Sequence, residues 1–362
     1  MLVARVVSVV LVFAGSVISQ TIPVAGGGSA LASAVASAPS GAILVVAPGT
    51  YSAVSATRNG DLTIVAPQGA TVGGMDMTVS SPWQLTLVGL AIAGPPVIGG
   101  GLSVLGNLRV ESCTGWYLRC AGSPTIARLY VRDCTFGGVD SNYVWNVDAV
   151  LLDSTFTGSP NASGQVGSNG FTFAATGSLR AERIHVTGGT ASVLPGAGLV
   201  VSCDAWLVDS TFTGGIGPIP NSQLAIAVSG PPPTLSNCVL AGAVTTTPTL
   251  RTVPSASWVS AAWIPGGTST VRFRENPNEI CAVIASLDVT PWSTPLAAER
   301  LWVGQTPWFV VALGVTGAGA DFVAPFTIPN SPAVQYASLW LTGAFVDPLP
   351  LRTTCPLGGL IR

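Results

Sequence analysis

Apolar and polar positions alternate through the middle of the chain, and this alternating pattern recurs. Residues 147–158 (VDAVLLDSTFTG) return as residues 203–214 (CDAWLVDSTFTG), with nine of the twelve positions identical. Weaker copies of the same unit occur on both sides. One position of each copy, weak or strong, serves to align them all; these positions are Gly89, Ser112, Asp133, Asp153, Arg183, Asp209 and Asn237. They lie 20 to 30 residues apart. A period of this length predicts a solenoid, in which each unit buries its apolar face against its neighbours.

The aligned positions, called bend positions below, separate two short alternating segments. Leu129 and Val131 precede the bend position Asp133, and Cys134 and Phe136 follow it in shifted phase. Alternation with period two predicts strands with one buried face, so each bend position should turn the chain between two strands. Asp and Asn suit such a turn because they tolerate the left-handed backbone region. We interpret the stacked Asp residues as turn ladders, with metal ligation as the alternative.

Two segments resemble a known superfamily. The unit LYVRDCTF at 129–136 is similar to the coil repeats of the pectin-lyase-like proteins, which are right-handed parallel β-helices. The opening segment GAILVVAPGTY at 41–51, preceded by a predicted cap helix over 29–38, resembles the start of their helix. The resemblance covers residues 29–245 and implies an all-β fold. It implies no single function, because the superfamily includes lyases, hydrolases, esterases, adhesins and phage tailspikes.

After residues 244–249, which we predict to be a linker, the repeat ends. Short alternating segments separated by turn residues then predict a small antiparallel β-sandwich. These segments are 257–263, 270–274, 282–287, 308–315 and 339–346. Six of the ten tryptophans lie in this part; they fill its core or, alternatively, stack on sugar rings. The closing stretch 337–348 resembles the end of a β domain appended to many secreted bacterial proteins.

The first 19 residues contain one arginine and an apolar run over 6–14, a pattern typical of a secretory signal peptide cleaved near Gln20. The run is shorter than the ~18 to 20 residues that a membrane span needs. We therefore expect a bacterial protein that is secreted or at the cell surface, without a membrane span after signal removal. Its predicted parts are the signal peptide (1–19), the capped β-helix (20–245) and the C-terminal domain (246–362).

The seven cysteines cannot all pair within one chain. Cys113 and Cys134 take the same inward position in successive coils, ~4.8 Å apart, which is compatible with a bridge or with two stacked thiols. Cys281 and Cys355 are the only cysteines of the C-terminal part, and we expect them to form a disulfide. The sequence has no CxxC motif and one histidine, which argues against a zinc site.

The charges of the chain indicate which classes of partner it is suited to bind. The chain has no lysine, and its formal net charge is −2, so its electrostatics give no support for nucleic-acid binding. Charged residues make up 8% of the chain and hydrophobic residues 48%, a balance that argues against intrinsic disorder.

Outward positions before the bend are predicted to form a strip of charged and aromatic side chains along the stack. Its candidate substrate-binding residues are Arg109, Tyr130, Arg132 and Trp206. Arginines pair with carboxylates and aromatic rings stack on sugars, so the strip is suited to a polysaccharide or cell-surface glycan. Ordinary surface ion pairs, such as Glu111 with Arg132, are the alternative interpretation.

The densest ionisable group supplies the candidate catalytic residues: Arg180, Glu182, Arg183 and His185. Lyase chemistry requires a base and a cation that neutralises the uronate carboxylate, roles that His185 and an arginine could fill. A lone histidine on a strand is nevertheless more often a surface or packing residue. The resemblance also argues against catalysis, because the Gly-His-Gly and Arg-x-Lys motifs of the superfamily's polygalacturonases are missing, as is an evident acidic cluster like that of its pectate lyases.

Two functions of different class remain. The preferred one is a secreted β-helix that binds or presents at the cell surface and contacts polysaccharide without catalysis. The alternative is a divergent polysaccharide lyase or glycoside hydrolase acting on a polyuronate-like substrate. No cofactor is expected, except that a loop with Asp140, Tyr143 and Asp148 could bind Ca²⁺. The sequence leaves the oligomeric state open.

Overall fold

The computed structural model describes residues 20–93, 101–138, 142–160, 166–218, 223–251, 253–260, 263–287, 291–292, 297, 301–303, 308–346 and 350–361. They divide after Arg251 into two compact units. The predicted signal peptide and Asp140 lie outside the described residues.

The first unit is a parallel β-helix with one cap helix, α1 (Ala30–Ser37). Its strands are β1 (Thr21–Val24), β2 (Ala42–Val46), β3 (Thr50–Tyr51), β4 (Val54–Arg58), β5 (Leu62–Val72), β6 (Met75–Val79), β7 (Gln84–Ile92), β8 (Leu102–Leu105), β9 (Asn107–Glu111), β10 (Thr114–Gly115), β11 (Leu118–Ala121), β12 (Ala127–Arg132), β13 (Thr135–Gly138), β14 (Asn142–Leu152), β15 (Thr155–Gly158), β16 (Phe171–Glu182), β17 (His185–Thr187), β18 (Leu199–Val201), β19 (Asp204–Val208), β20 (Thr211–Thr213), β21 (Leu224–Val228), β22 (Thr234–Ser236), β23 (Val239–Ala241), β24 (Ala243–Val244) and β25 (Thr249–Leu250). The stretch predicted to be a linker, 244–249, belongs to the last coil.

Each coil contributes to three parallel sheets. The first sheet contains β9, β12 and β19, the second β10, β13 and β15, and the third β8, β11 and β18. The long strands β14 and β16 run from the third sheet into the first. Only two residues connect β12 to β13 in the first-to-second turn, whereas the second-to-third connection grows from residues 116–117 to residues 188–198.

The bend positions turn the chain as predicted. All seven have positive φ: 74° at Gly89, 51° at Ser112, 52° at Asp133, 48° at Asp153, 52° at Arg183, 48° at Asp209 and 50° at Asn237. Neighbouring polar side chains at these positions bond along the stack: Asn237 Nδ2 donates to Asp209 Oδ1 at 2.7 Å, and Arg183 Nε donates to Asp153 Oδ1 at 2.6 Å. These residues therefore form turn ladders, the structural role expected of them.

The core of the β-helix is a column of inward side chains that repeats from coil to coil. Phe136 and Phe156 stack with their ring centroids 6.2 Å apart, and Phe156 meets Phe171 edge to face at 4.7 Å. All three rings are fully buried. At the N-terminal end, Leu31 and Val35 of α1 join the same core, so the helix covers apolar surface that an open first coil would expose.

In five of the seven coils with a bend position, the inward residue directly after the bend is a cysteine or a serine, and the two residue types share a hydrogen-bonding role; Leu90 and Ile184 are the exceptions. Cys134 Sγ accepts the backbone N–H of Cys113 at 3.4 Å and donates to Arg132 O at 3.1 Å. Ser154 Oγ does the same with Cys134 N–H at 3.1 Å and Leu152 O at 2.6 Å. Cys113 and Cys134 are thus stacked thiols without a disulfide.

The second unit contains short antiparallel sheets, as predicted. Its strands are β26 (Ser255–Ser260), β27 (Thr268–Arg274), β28 (Ile280–Ser286), β29 (Pro291–Trp292), β30 (Leu301–Trp302), β31 (Trp308–Val315), β32 (Asp321–Thr327), β33 (Ser338–Phe345), β34 (Arg352–Thr353) and β35 (Leu357–Leu360), with a 3-10 turn at Pro332–Val334. One sheet has the order β26-β27-β32, another the order β31-β28-β33-β34 with β35 also on β33, and β29 pairs with β30.

The predicted disulfide between Cys281 and Cys355 is wrong, because neither residue forms a disulfide and both are fully buried. Cys281 pairs with Phe345 on β33, and Phe345 pairs on its other side with Arg352 of β34. Strand β33 therefore separates the strand of Cys281 from the segment that leads to Cys355. Burial instead raises the pKa of the Cys281 thiol to about 12.

The tryptophans of this unit divide between core and surface. Trp302 and Trp340 are buried, Trp258 and Trp263 meet edge to face at 5.0 Å, and Trp308 is 49% exposed. The core interpretation therefore holds for the first two. Across the described ranges of the chain, no helix has both the length and the apolar character needed to cross a membrane.

Candidate functional site

The strip predicted on the first sheet has the expected register, but all of its candidate residues except the partly exposed Trp206 are excluded from solvent. Tyr130 pairs with Arg109 and Arg132 with Glu111, on the face opposite the core residues. The residues are nevertheless only 1% (Arg109), 0% (Glu111), 5% (Tyr130) and 5% (Arg132) exposed. The prediction treated outward positions as solvent-facing, and for this face that was wrong.

Instead of an open groove, these side chains form a buried ionic cluster. Arg109 Nε donates to Glu111 Oε1 at 2.6 Å, and Arg132 Nη2 donates to Glu111 Oε2 at 2.9 Å. The guanidinium of Arg109 lies 5.9 Å from the ring centre of Tyr130. Burial raises the pKa of the Tyr130 phenol well above its usual value, so this hydroxyl keeps its proton at physiological pH. The charged groups of this cluster are therefore paired with one another and do not form a binding site for a ligand.

A second ionic group surrounds the predicted catalytic residues on the same sheet. Arg180 and Arg183 both contact the fully buried Glu182, at 3.3 and 3.1 Å. Arg183 also pairs with Asp153. Trp206 lies between two arginines, with the guanidinium carbons of Arg180 and Arg251 at 6.0 and 5.0 Å from its ring centre.

His185 is not part of this group, because the bend at Arg183 places it on the second sheet. There it is exposed and lies in register between Thr155 and Thr211. The structure thus places the proposed base and the buried Arg180–Glu182 pair on different sheets, on either side of the bend. A single substrate atom cannot approach both His185 and Arg180 through solvent.

An exposed aromatic surface lies on the third sheet, where the sequence interpretation saw only a loop. On β14, Tyr143 and Trp145 project from the same face and are 39% and 41% exposed. Arg119 pairs with Tyr143 in register, and its guanidinium lies 4.7 Å from the ring centre of Tyr117. The alternation Tyr-Val-Trp over 143–145, with Val144 buried, was the signal available in the sequence.

Small side chains open a depression beside Trp145. Ala121 pairs in register with Leu105 on one side and with Trp145 on the other. Since adjacent strands lie ~4.8 Å apart, Leu105 and Trp145 stand roughly 10 Å apart across the alanine. Leu105 is 38% exposed, so the depression has Leu105 on one side, Trp145 on the other and the small side chain of Ala121 at its base.

A cleft of about 460 Å³ continues from Leu105 around the edge of the third sheet. Its walls come from three successive turns and contain no charged residue; they are Thr78, Val79, Ser80, Ser81, Leu105, Gly106, Asn107, Gly122, Ser123, Pro124, Thr125 and Ala127. Five of these residues carry hydroxyl groups. Asn107 Nδ2 donates to Pro82 O at 3.1 Å and Trp83 O at 3.0 Å, which fixes the turn that carries Trp83.

The cleft and the aromatic surface are joined by two hydrogen bonds to Gly122, one from its own N–H and one to its carbonyl oxygen. Gly122 N–H donates to Trp145 O at 3.0 Å, and Asn146 Nδ2 donates to Gly122 O at 3.1 Å. Trp83, whose carbonyl oxygen accepts a hydrogen bond from Asn107 of the cleft, is 36% exposed. We name the set Trp83, Leu105, Arg119, Tyr143 and Trp145, together with the cleft, the third-sheet surface.

The described residues of the possible calcium loop, Tyr143 and Asp148, lie on different sheets. Tyr143 lies on the third sheet, whereas Asp148 lies at the start of the first-sheet part of β14 and accepts a hydrogen bond from Ser178 Oγ at 2.7 Å. In the part of the chain that the structure describes, no three His, Cys, Asp or Glu side chains group closely enough to hold a metal ion.

Comparison with models of protein families and with curated proteins finds no match to this chain.

Proposed function

We propose that this protein is a secreted or cell-surface β-helix of the pectin-lyase-like type that binds polysaccharide through its third-sheet surface, without catalysis. The observation that carries the proposal is the pair Tyr143 and Trp145, two half-exposed rings on one face of one strand. The predicted signal peptide supports export, and the low charge of the chain suits a partner recognised mainly by apolar contacts and hydroxyl groups.

The spacing of the rings suits a chain of sugar units. Residues two apart on a strand lie roughly 6.6 Å apart, and both side chains stand on the same face. Tyr and Trp bring an apolar ring and a polar tip, which match the C–H faces and the hydroxyl groups of a sugar. The rings would therefore contact neighbouring units of an extended polysaccharide.

The cleft would supply the hydrogen bonds to a bound sugar. Its hydroxyl groups and backbone amides offer donors and acceptors without a net charge. A charged uronate would find no countercharge there, whereas a neutral sugar needs none. We accordingly infer that the unit in the cleft is a neutral sugar.

One observation favours the alternative function, a polysaccharide lyase. Arg119 lies beside Tyr143 in register on the exposed third sheet. Lyase chemistry requires neutralisation of the uronate carboxylate, a base that removes the proton beside it and an acid that protonates the leaving oxygen. Arg119 is suited to the first role and the Tyr143 hydroxyl to the last. This pair replaces His185 and Arg180 as the site to test for catalysis.

The test is binding of the mature protein, from Gln20, to an array of neutral and uronate polysaccharides. Trp145→Ala and Tyr143→Ala should each weaken binding to the responding glycan at least tenfold, as expected for an aromatic residue at the centre of an interface. Trp308→Ala, measured at a protein concentration at which the chain is monomeric, is the matched control, because this tryptophan of similar exposure lies in the other unit and should leave affinity unchanged. Absence of binding to any polysaccharide, from folded protein, would refute the proposal.

A depolymerisation assay on the same panel, with and without calcium, separates the two functions. Release of unsaturated products that Arg119→Ala abolishes would establish the lyase. Binding without either unsaturated products or new reducing ends supports the non-catalytic protein.

A further inference from the structure

Strand β31 in the C-terminal unit is an unprotected edge strand. It pairs with β28 on one side, and within the described residues no strand pairs with its other side. Its sequence, WFVVALGV, is apolar throughout. Natural edge strands are usually blunted by charge, proline or a covering element, because their free N–H and C=O groups pair readily with other strands.

The outer face of β31 is open as well as its edge. The exposed fractions are 49% for Trp308, 47% for Val310, 59% for Leu313 and 48% for Val315. These four residues lie opposite Ser286, Ile284, Ala282 and Ile280 of β28, so they share one face of the sheet. The other face is partly packed, because Gly314 lies against the ring of Phe322, although Phe309 is 38% exposed.

We propose that β31 pairs edge to edge with β31 of a second copy of this chain, in antiparallel orientation about a two-fold axis. The free hydrogen-bonding edge requires an extended strand as its partner. The row of apolar side chains on the outer face requires a partner strand that continues this row on the same face of the sheet. The second copy supplies such a strand at the same length, and a two-fold axis satisfies both edges at once.

The lack of charged residues on β31 is compatible with pairing between two copies of this strand. No charged residue occurs between Arg300 and Asp321 in the sequence. Like charges placed opposite each other across an antiparallel pair would be repulsive, and β31 has none to place there. An edge that evolved to stay single would be expected to carry at least one.

The irregular register of β31 also suits an identical partner. A shift between Val283 and Ile284 leaves Val311 as an extra residue opposite β28. Such bulges increase the local twist of a strand. An antiparallel copy centred on Val311 would bring the two bulges together, so both strands would twist in the same way.

The size of the contact predicts a weak dimer. If each of the five side chains offers on the order of 150 Å² or more when free, their exposed fractions leave roughly 400 Å² of apolar surface per copy. Two copies would then bury less than the ~1,200 to 2,000 Å² of a stable interface. The dimer should form reversibly in the micromolar range or above.

Sedimentation equilibrium of the mature chain from low to high micromolar concentration tests this inference. The average mass should rise towards that of a dimer, and Val310→Lys and Leu313→Lys should each raise the dissociation constant at least tenfold. Both positions are about half exposed, so the substitutions should leave the fold intact. The matched control, Val193→Lys, changes a valine of similar exposure (51%) in the β-helix and should dimerise normally.

Hydrogen exchange of β31 amides distinguishes edge pairing from other contacts. Protection of these amides should increase with protein concentration, and Leu313→Lys should remove the increase. The proposal is overturned if the wild type remains monomeric, if the lysine variants dimerise normally, or if β31 captures an added apolar peptide while never pairing with itself.

Discussion

Arg183 holds the carboxylate of Asp153, its neighbour in the turn ladder, through two hydrogen bonds: 2.6 Å from Nε to Oδ1 and 3.1 Å from Nη2 to Oδ2. Arginine has no intrinsic preference for positive φ, and the left-handed conformation costs it about 1–2 kcal/mol. The bidentate pair offsets this cost and shows why arginine is tolerated where most coils have Asp, Asn, Ser or Gly.

Removing the charge of Asp153 should weaken the β-helix. Asp153→Asn keeps a side chain that tolerates positive φ but loses the charge-assisted pair, and we expect a loss of about 1–2 kcal/mol in the free energy of unfolding. Asp133→Asn is the control, since the Asp133 side chain is 52% exposed and its contact with Arg132 is longer, at 3.3 Å. The control should lose less than about 0.5 kcal/mol in urea unfolding. Equal losses would contradict this account.

Backbone strain at Ser112 predicts a stabilising substitution. Ser112 is exposed and has a φ of 51°, so Ser112→Gly should raise the free energy of unfolding by about 0.5–1 kcal/mol. The same change at the exposed Ser55, within strand β4, should lower it by a similar amount, because glycine weakens a strand interior. Thermal unfolding of both variants should therefore give shifts of opposite sign. Shifts of one sign would show that the bend is not strained.

The hydrogen-bonding role shared by cysteine and serine predicts which replacements of Cys134 are tolerated. Cys134→Ser keeps both hydrogen bonds and should change the free energy of unfolding by less than about 1 kcal/mol. Cys134→Val fills similar space but leaves the buried N–H of Cys113 without its acceptor, which should cost about 1–3 kcal/mol. The unfolding midpoints decide between this role and simple space filling, for which valine would match or exceed serine.

The buried thiols make the β-helix sensitive to alkali. Burial raises the pKa of Cys113 and of Cys120 from 9.0 to about 12. Between these values the unfolded chain releases protons that the folded chain retains, so stability is unaffected below pH 9 and falls as pH rises from 9 to 12. Each thiol should contribute about 1.4 kcal/mol per pH unit in this window.

The slope of stability against pH isolates one thiol. Cys120→Ala should reduce the slope above pH 9 by the contribution of one group, whatever it does to stability at neutral pH. Thiol reagents should likewise leave Cys120 unlabelled in the folded wild type at pH 8, read by peptide mapping because Cys238 is only partly buried. Rapid labelling of Cys120, or an unchanged slope, would show that the Cys120 thiol is accessible.

The features that were predicted correctly depend on backbone conformation and on the alternation of residues that are close in sequence. The bend positions were identifiable because one residue per coil must adopt positive φ, and the alternation around it depends only on the two-residue period of strands. The sandwich segments, including β31 at 308–315, were found for the same reason. The predicted linker was misplaced because the last coil, ending at Leu250, has too little apolar alternation to show as a copy.

The candidate site was predicted less well because exposure is a tertiary property. Register alone placed Arg109 and Glu111 on the outer face of a sheet, but it could not show that this face is excluded from solvent. Conversely, Trp145 belongs to a strand that begins directly after residues 139–141, and its neighbours in space, Ala121 and Leu105, are far away in sequence. Only the stacking of coils brings those three residues together.

The turns between the first and second sheets are constant in length, whereas the connection into the third sheet varies from coil to coil. One corner of each coil therefore sets the register, and the other two absorb the changes in length, since the connection from the third sheet to the first also varies, from residue 106 alone to residues 122–126. The tip at Val193, which is 51% exposed, lies in one of these two variable corners. A foreign peptide inserted there would be displayed at a fixed point on a rigid rod, and its length could be changed without altering the pairing of neighbouring strands.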